Sequence, residues 1–277
     1  MQNVSEKIRA ISLIYHDVVD PKSHEMSGFP GADAAAYKLS PRQFESHINM
    51  IAGAVGGRPL LVHELSRIER SPSGALPWMI SFDDGGESSH SRIADLLERS
   101  GWRGHFFIAT DYIGSRGFMS REQIRDLHRR GHLIGSHSCS HPLRFASQPA
   151  QVIEREWRES VGILSDLLGE RVTCASIPGG QYSKHVAEIA SASGIDALFT
   201  SEPKSSISDI GGCRVIGRYS IQRWTPPAIA AAIASGRLLP RYRQLFWWDF
   251  KKIVKKLGGN HYLRLRQRLM GEMDHGY

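Results

Sequence analysis

Two hydrophobic periods alternate along this chain. Short apolar runs lie near residues 11–15, 77–82, 105–109, 132–136, 172–177, 196–200 and 214–221. Between them come helical patterns: Pro41 to Ala54 behind a Ser40 cap, Ser88 to Ser100, Ser120 to Arg130, Pro149 to Leu168, and Ser183 to Ser193. Strands interrupted in this way by helices read as βα units, which build an α/β fold with a parallel sheet or barrel. In such folds the carboxyl ends of the strands share one face, so chemistry carried just after the strands is gathered together. With 277 residues the chain can bury a large core. Thr225-Pro226-Pro227 opens a last body helix to about Ala234, so the expected division is a body of residues 1–236 and a tail of residues 237–277. The stretch 17–38, rich in Pro, Gly, Ala and Ser, reads as a long surface loop near the strand ends.

Two groups of side chains stand at such strand ends. Asp83-Asp84-Gly85 follows the run Pro77 to Phe82, and His137-Ser138-Cys139-Ser140-His141 follows the run 132–136. Either group alone has an ordinary reading, a turn in the first case and a solvated loop in the second. Together they are chemically coherent. Adjacent carboxylates in a poorly hydrated place raise each other's pKa, and a cation relieves that repulsion. Two imidazoles and one carboxylate form a facial set with open positions, suited to Zn²⁺ and equally to Fe²⁺, Co²⁺ or Ni²⁺. Consecutive residues point differently, so one Asp is free to act as a base toward a water acidified by the cation.

Ser81-Phe82-Asp83-Asp84-Gly85 followed by His137-Ser138-x-x-His141 resembles the first two motifs of the polysaccharide deacetylase family, carbohydrate esterase family four. The resemblance spans roughly residues 11–235 and includes Leu13-Ile14-Tyr15-His16 and Leu39-Ser40-Pro41-x-x-Phe44-Glu45. It implies a distorted (β/α) barrel of about seven units and removal of N-acetyl groups from a sugar or glycan. It also implies Asp83 as catalytic base and Asp84, His137 and His141 as metal ligands, with zinc the foremost metal. The family's third motif, Arg-x-Pro-aromatic-Gly, is matched by Ser176-Ile177-Pro178-Gly179-Gly180. Gly179 can still offer the backbone N–H that steadies an oxyanion, but Ser176 stands where the base-orienting Arg would be. The family's closing Leu-x-x-His has no match, and His16 is the substitute proton donor that the resemblance suggests; its ordinary reading is a loop histidine bonded to Asp17. His105, His128 and His132 are expected to be structural; Trp224 reads as a core or surface aromatic sooner than as the wall of an acetyl pocket, and Thr200-Ser201-Glu202, at the end of a late strand, faces the site side as a candidate substrate contact. The rival functions are hydrolysis of a non-sugar C–N amide bond on the same fold, and glycan binding with little catalysis.

Composition narrows the partners. Residues 237–277 hold ten Lys and Arg against three acidic residues, which accounts for the whole net charge of +7. The neutral body and the absence of a recognition motif argue against nucleic acid. From Arg241 the apolar residues Tyr242, Leu245, Phe246, Phe250, Ile253, Val254 and Leu257 recur at helical spacing beside Trp247 and Trp248. Two readings stand: a peripheral membrane contact through 237–277, or a helix that packs its apolar stripe on the barrel and solvates its basic face. The second is the plainer expectation. No run approaches the ~18 apolar residues of a membrane span, no secretory pattern opens the chain, and three scattered cysteines suggest no disulfide framework. A cytoplasmic protein, free or at the membrane surface, is the expectation.

Overall fold

The computed structural model describes residues 8–21, 26–67, 75–180, 182–250 and 252. Among them, nine strands form one curled sheet: β1 (Ile11–Tyr15), β2 (Trp78–Phe82), β3 (His105–Ile108), β4 (Leu133–Ser136), β5 (Cys174–Ser176), β6 (Ala197–Phe199), β7 (Ser208–Ile210), β8 (Cys213–Ile216) and β9 (Tyr219–Ser220). Their order is β7-β8-β6-β5-β4-β3-β2-β1-β9, and every pairing is parallel except the β7–β8 hairpin. The strands β1 and β2 are buried at every position, as expected for strands covered on both faces. Helices α1 (Ala32–Ala35), α2 (Pro41–Ala54), α3 (Ala94–Arg99), α4 (Arg121–Arg129), α5 (Ala150–Leu168), α6 (Lys184–Ala192) and α7 (Pro227–Ala234) complete the body. The expected Ser40 cap is real: its hydroxyl accepts from the Gln43 N–H while the Gln43 side chain accepts from the Ser40 N–H.

The sheet closes into a distorted barrel through a seam. Residues 8–10, which lead into β1, pair antiparallel with residues 205–207, which lead into β7. The run expected to be one strand over 214–221 is in fact two. Strand β8 lies against β6 and β9 lies against β1, so the chain crosses the seam at Gly217-Arg218. Glycine is required at that crossing. A Cβ on Gly217 would sit 2.5 Å from the Glu202 carbonyl oxygen and 2.6 Å from that of Lys204.

The loop after β1 is held from inside rather than lying loosely on the surface. Buried Asp17 accepts from the hydroxyls of Ser27 at 2.5 Å and Ser88 at 2.7 Å, and the Lys38 ammonium donates to the carbonyls of Ser27 and Phe29. Gly86 is pressed so close that a Cβ there would lie 2.0 Å from the Asp17 carboxylate. The second half of Asp83-Asp84-Gly85-Gly86 therefore anchors the loop.

The tail departs from expectation. A helix, α8, covers residues 238–250. It lies on the seam, and polar residues make its hydrogen bonds there, with Leu245 and Trp248 half-buried beside them. Buried Arg241 donates to the Tyr219 hydroxyl at 2.9 Å and to the Ser205 hydroxyl at 2.7 Å. Gln244 both donates to and accepts from the backbone of Ser220, capping the exposed edge of β9. The apolar stripe of Leu239, Tyr242, Phe246 and Phe250 faces outward. Packing of the stripe on the barrel is thus overturned for Tyr242, Phe246 and Phe250, though Leu245 is half-buried, because the seam presents hydroxyls and unpaired backbone groups that an apolar face could not satisfy. Ile253, Val254 and Leu257 lie outside the described residues.

Candidate active site

Both predicted groups emerge at the carboxyl ends of parallel strands separated by β3, Asp83 and Asp84 after β2 and His137 and His141 after β4. The structure brings Asp84, His137 and His141 together, with one potential ligand atom from each lying within 4.8 Å of the others. The Nε2 atoms of His137 and His141 stand 3.3 and 3.5 Å from one and the same oxygen of Asp84, Oδ1. Unusual backbone conformations achieve this. Asp84, Ser138 and His141 adopt positive φ values of 77°, 63° and 51°, a region that non-glycine residues seldom occupy.

The donor set fits a divalent cation. His137 Nδ1 lies 2.9 Å from the carbonyl oxygen of Ser176, which can only accept. The ring hydrogen of neutral His137 is therefore on Nδ1, and Nε2 presents its lone pair toward Asp84 and His141. Burial, the largest influence, disfavours a charged His137, but Asp83 and Asp84 outweigh it and raise its pKa. Burial and the neighbouring His137 push His141 down to about 4. For Asp84, burial raises the pKa, yet the His137 hydrogen bond and the surrounding histidines hold the carboxyl well below the usual carboxylate range. An ionised carboxylate and an unprotonated imidazole at one point are the groups that a hard or borderline cation takes.

Asp83 borders that set, its Oδ2 3.8 Å from His137 Nε2, but its hydrogen bonds go to a different partner. Its carboxylate receives two parallel hydrogen bonds from the Arg218 guanidinium, at 2.7 and 2.8 Å, and a third at 2.9 Å from the Ser176 hydroxyl. Arg218 is fully buried and has no freedom to point elsewhere. It also donates to the hydroxyls of Ser81 and Ser176 and to the Thr200 carbonyl, and it stands over the rings of Phe107 and Phe199. Burial tends to raise the Asp83 pKa, but the charges of Arg218 and His137 prevail and keep it lowered. The Arg absent at Ser176 in the sequence is thus supplied in space from the seam crossing. Little in the sequence pointed there: Arg218 is one of two cations, with Arg214, inside the mainly apolar run 213–221, and only burial shows that its guanidinium needs a carboxylate.

His16 follows β1 and is half-buried. Among the described residues it makes no hydrogen bond to Asp17, whose Oδ1 accepts from both Ser27 and Ser88. Its ring packs on Tyr37 at 4.7 Å, and its Nδ1 is buried with no hydrogen-bond partner among the described residues. Gly179 sits in the short turn after β5 with φ 63°, and a Cβ there would meet nothing within 4 Å, so the space over it is open. Thr200-Ser201-Glu202 serves the scaffold: the Thr200 carbonyl binds Arg218, and Glu202 pairs with Lys204 and Lys252. Trp224 is an exposed aromatic. His105 and His132 are buried and bonded to backbone or Glu98, while His128 stands near Glu170.

Two supporting residues had no signal in the sequence. Glu156 of α5 accepts the backbone N–H groups of Cys139 and Ser140 at 2.8 and 2.9 Å and the Ser140 hydroxyl at 2.7 Å. It braces the turn that aims His141. Phe29, delivered by the loop anchored on Asp17, packs its ring on His141 at 4.6 Å.

Comparison with known proteins agrees with this geometry. The polysaccharide deacetylase family model matches residues 71–198. The chain is 24% identical over 177 residues to YxkH of Bacillus subtilis (strain 168), a protein that carries the polysaccharide deacetylase name; the match covers 63% of this chain and 62% of that relative's length. In fold it is similar to the deacetylase PplD of Streptococcus pyogenes, solved with acetate, with TM-score 0.65 and 17% identity over 80% of this chain and 96% of that one. It is likewise similar to a de-N-acetylase of Aggregatibacter actinomycetemcomitans, with TM-score 0.65 and 19% identity over 78% of this chain and 96% of that one. The matched segment carries Asp83, Asp84, His137, His141 and Gly179, so the similarity to the polysaccharide deacetylase family covers the residues of the site.

Proposed function

We propose that this protein is a metal-dependent hydrolase that removes N-acetyl groups from an N-acetylated glycan. One observation carries the reading: an Asp84–His137–His141 cluster converges beside a second carboxylate, Asp83, that a buried Arg218 holds out of the cluster. Four ionisable groups thereby divide into a ligand set and a base. The family and the acetate-bound and de-N-acetylase neighbours support an acetyl group on a sugar nitrogen as the target.

A divalent cation, with zinc the leading candidate, would be held by Asp84, His137 and His141 and would acidify a water and polarise the acyl oxygen. Asp83, kept ionised by Arg218, takes the proton of the attacking water as its oxygen bonds to the acyl carbon. The Gly179 N–H donates to the oxygen on which negative charge develops. His16 gives a proton to the departing nitrogen as the C–N bond breaks, leaving acetate and a free amine. Arg218 and Ser176 touch no substrate in this scheme; they fix the direction of the Asp83 carboxylate.

The test is a substrate panel: chitooligosaccharides, N-acetylated glucosamine polymers and small N-acetyl amides, each assayed for released acetate. Release from the glycans, abolished by chelation and restored by added zinc or cobalt, is expected. Release from small amides alone would transfer the activity to non-sugar substrates, and release unaffected by chelation would contradict the metal.

A further inference from the structure

The outward stripe of α8 has no role in the site or in the barrel. Its exposed residues are large: Leu239 is 82% exposed, Tyr242 62% and Phe246 65%, with Trp247 and Phe250 close to half. They are also contiguous. Phe246, Trp247 and Phe250 pack on one another with ring centroids 5.7 to 6.4 Å apart, so the apolar groups form a patch rather than scattered points. The opposite side of the helix is committed. Arg241 and Gln244 bond to the seam, Lys252 pairs with Glu202, and Trp248 comes within 3.6 Å of where a Cβ on Gly180 would lie. Rotation of the helix to hide its aromatics would break all of these contacts at once.

The surroundings of the patch are basic. Arg237 and Arg243 are exposed on this segment against one exposed acid, Asp249, and by sequence residues 237–277 hold ten Lys and Arg against three acids, which equals the net charge of the chain. Clustered aromatics flanked by exposed cations are the composition of a helix that lies in a lipid headgroup layer. A second copy docked by this face would set like charges against like, at Arg237, Arg243 and their equivalents. No helix among the described residues is long and apolar enough to cross a membrane.

We propose that α8 docks the protein on an anionic lipid surface, with Tyr242, Phe246, Trp247 and Phe250 in the headgroup boundary and Arg237 and Arg243 against lipid phosphates. The helix runs along the seam to the loop of Pro178–Gly180 and to Glu202 at the end of β6, beside the open space over Gly179. Docking therefore brings the rim of the site to the lipid. Resting on the deacetylase reading, the glycan substrate is one held at the membrane surface.

The experiment is vesicle sedimentation of the full chain, with phosphatidylcholine alone and with an equimolar mixture of phosphatidylcholine and phosphatidylglycerol. It compares the wild type with the variant F246S/W247S/F250S, whose changes are all at exposed positions. The wild type is expected to sediment with the anionic vesicles and to be released by salt, and the variant to partition about tenfold less. Its thermal midpoint and its acetate release from a soluble glycan are expected to stay unchanged. Wild type that ignores anionic vesicles, or a variant that partitions equally, overturns the proposal. So does light scattering that shows a wild-type dimer turned monomeric by the variant without vesicle binding. Because sedimentation is independent of acetate release, failure of the docking and failure of the deacetylase reading are told apart.

Discussion

Arg218 and Asp83, 135 residues apart in the chain, meet as a fully buried fork of two hydrogen bonds of 2.7 and 2.8 Å. The pair links the fold to the chemistry, since Arg218 stands where the chain crosses the barrel seam and Asp83 stands beside the ligand cluster. Truncating one partner of a buried ion pair leaves an uncompensated charge, which costs about 3–5 kcal/mol. Arg218→Ala should lower unfolding stability by that order and remove most activity. Arg218→Lys keeps the charge but not the fork, and its kcat should lie between the two with KM little changed. Ser176→Ala removes one of three bonds to Asp83 and should cost about 1 kcal/mol. Denaturant titration with steady-state kinetics on the three variants checks this ordering.

Glu156 predicts a separation between metal affinity and base chemistry. It touches the 139–140 turn and not the cluster itself. Glu156→Gln removes the charge that three donors converge on, and groups that orient ligands are worth about 10–100-fold in metal affinity. Titration calorimetry with zinc should show that loss, and saturating metal should return much of the activity. An unchanged affinity would contradict the bracing role.

The buried histidines make stability depend on pH. His105 takes the Val62 N–H on Nε2, and His132 takes the Gly104 N–H on Nδ1, so protonation of either breaks a backbone bond. Burial, the main cause, pushes each from 6.5 down to about 4. Below pH 6.5 the unfolded chain binds these protons while the folded chain does not until about pH 4. The stability they contribute is complete above pH 6.5 and is lost as pH falls toward 4, by at most about 3 kcal/mol for each. Urea midpoints measured across that window should fall with pH. In the H105Q/H132N variant the fall should be shallower, and a flat wild-type profile would contradict the assignment.

The legible part of this protein is the part written locally. Asp83-Asp84 and His137-x-x-x-His141 could be placed on one face because each directly follows a strand, and strand ends in a βα fold converge. Arg218 was hidden because its contact depends on the seam crossing, which split a run that reads as a single strand. Glu156 was hidden for a different reason: one acid on a helical face is indistinguishable from its solvated neighbours until α5 is packed. The tail was misread through its periodicity. The stripe at Tyr242, Phe246 and Phe250 is truly apolar, but the seam beneath the helix offered hydroxyls and the edge of β9, and Arg241 and Gln244 satisfied them.

The division of labour between adjacent carboxylates is the central claim, and acetate release measured together with bound metal in Asp83→Asn and Asp84→Asn tests it most directly. Asp83→Asn should stay folded and keep its metal while losing at least about a hundredfold in kcat, as removal of a general base does. Asp84→Asn should lose the metal and the activity together. Full acetate release by metal-loaded Asp83→Asn, or a wild type that takes up no divalent cation, would contradict the account.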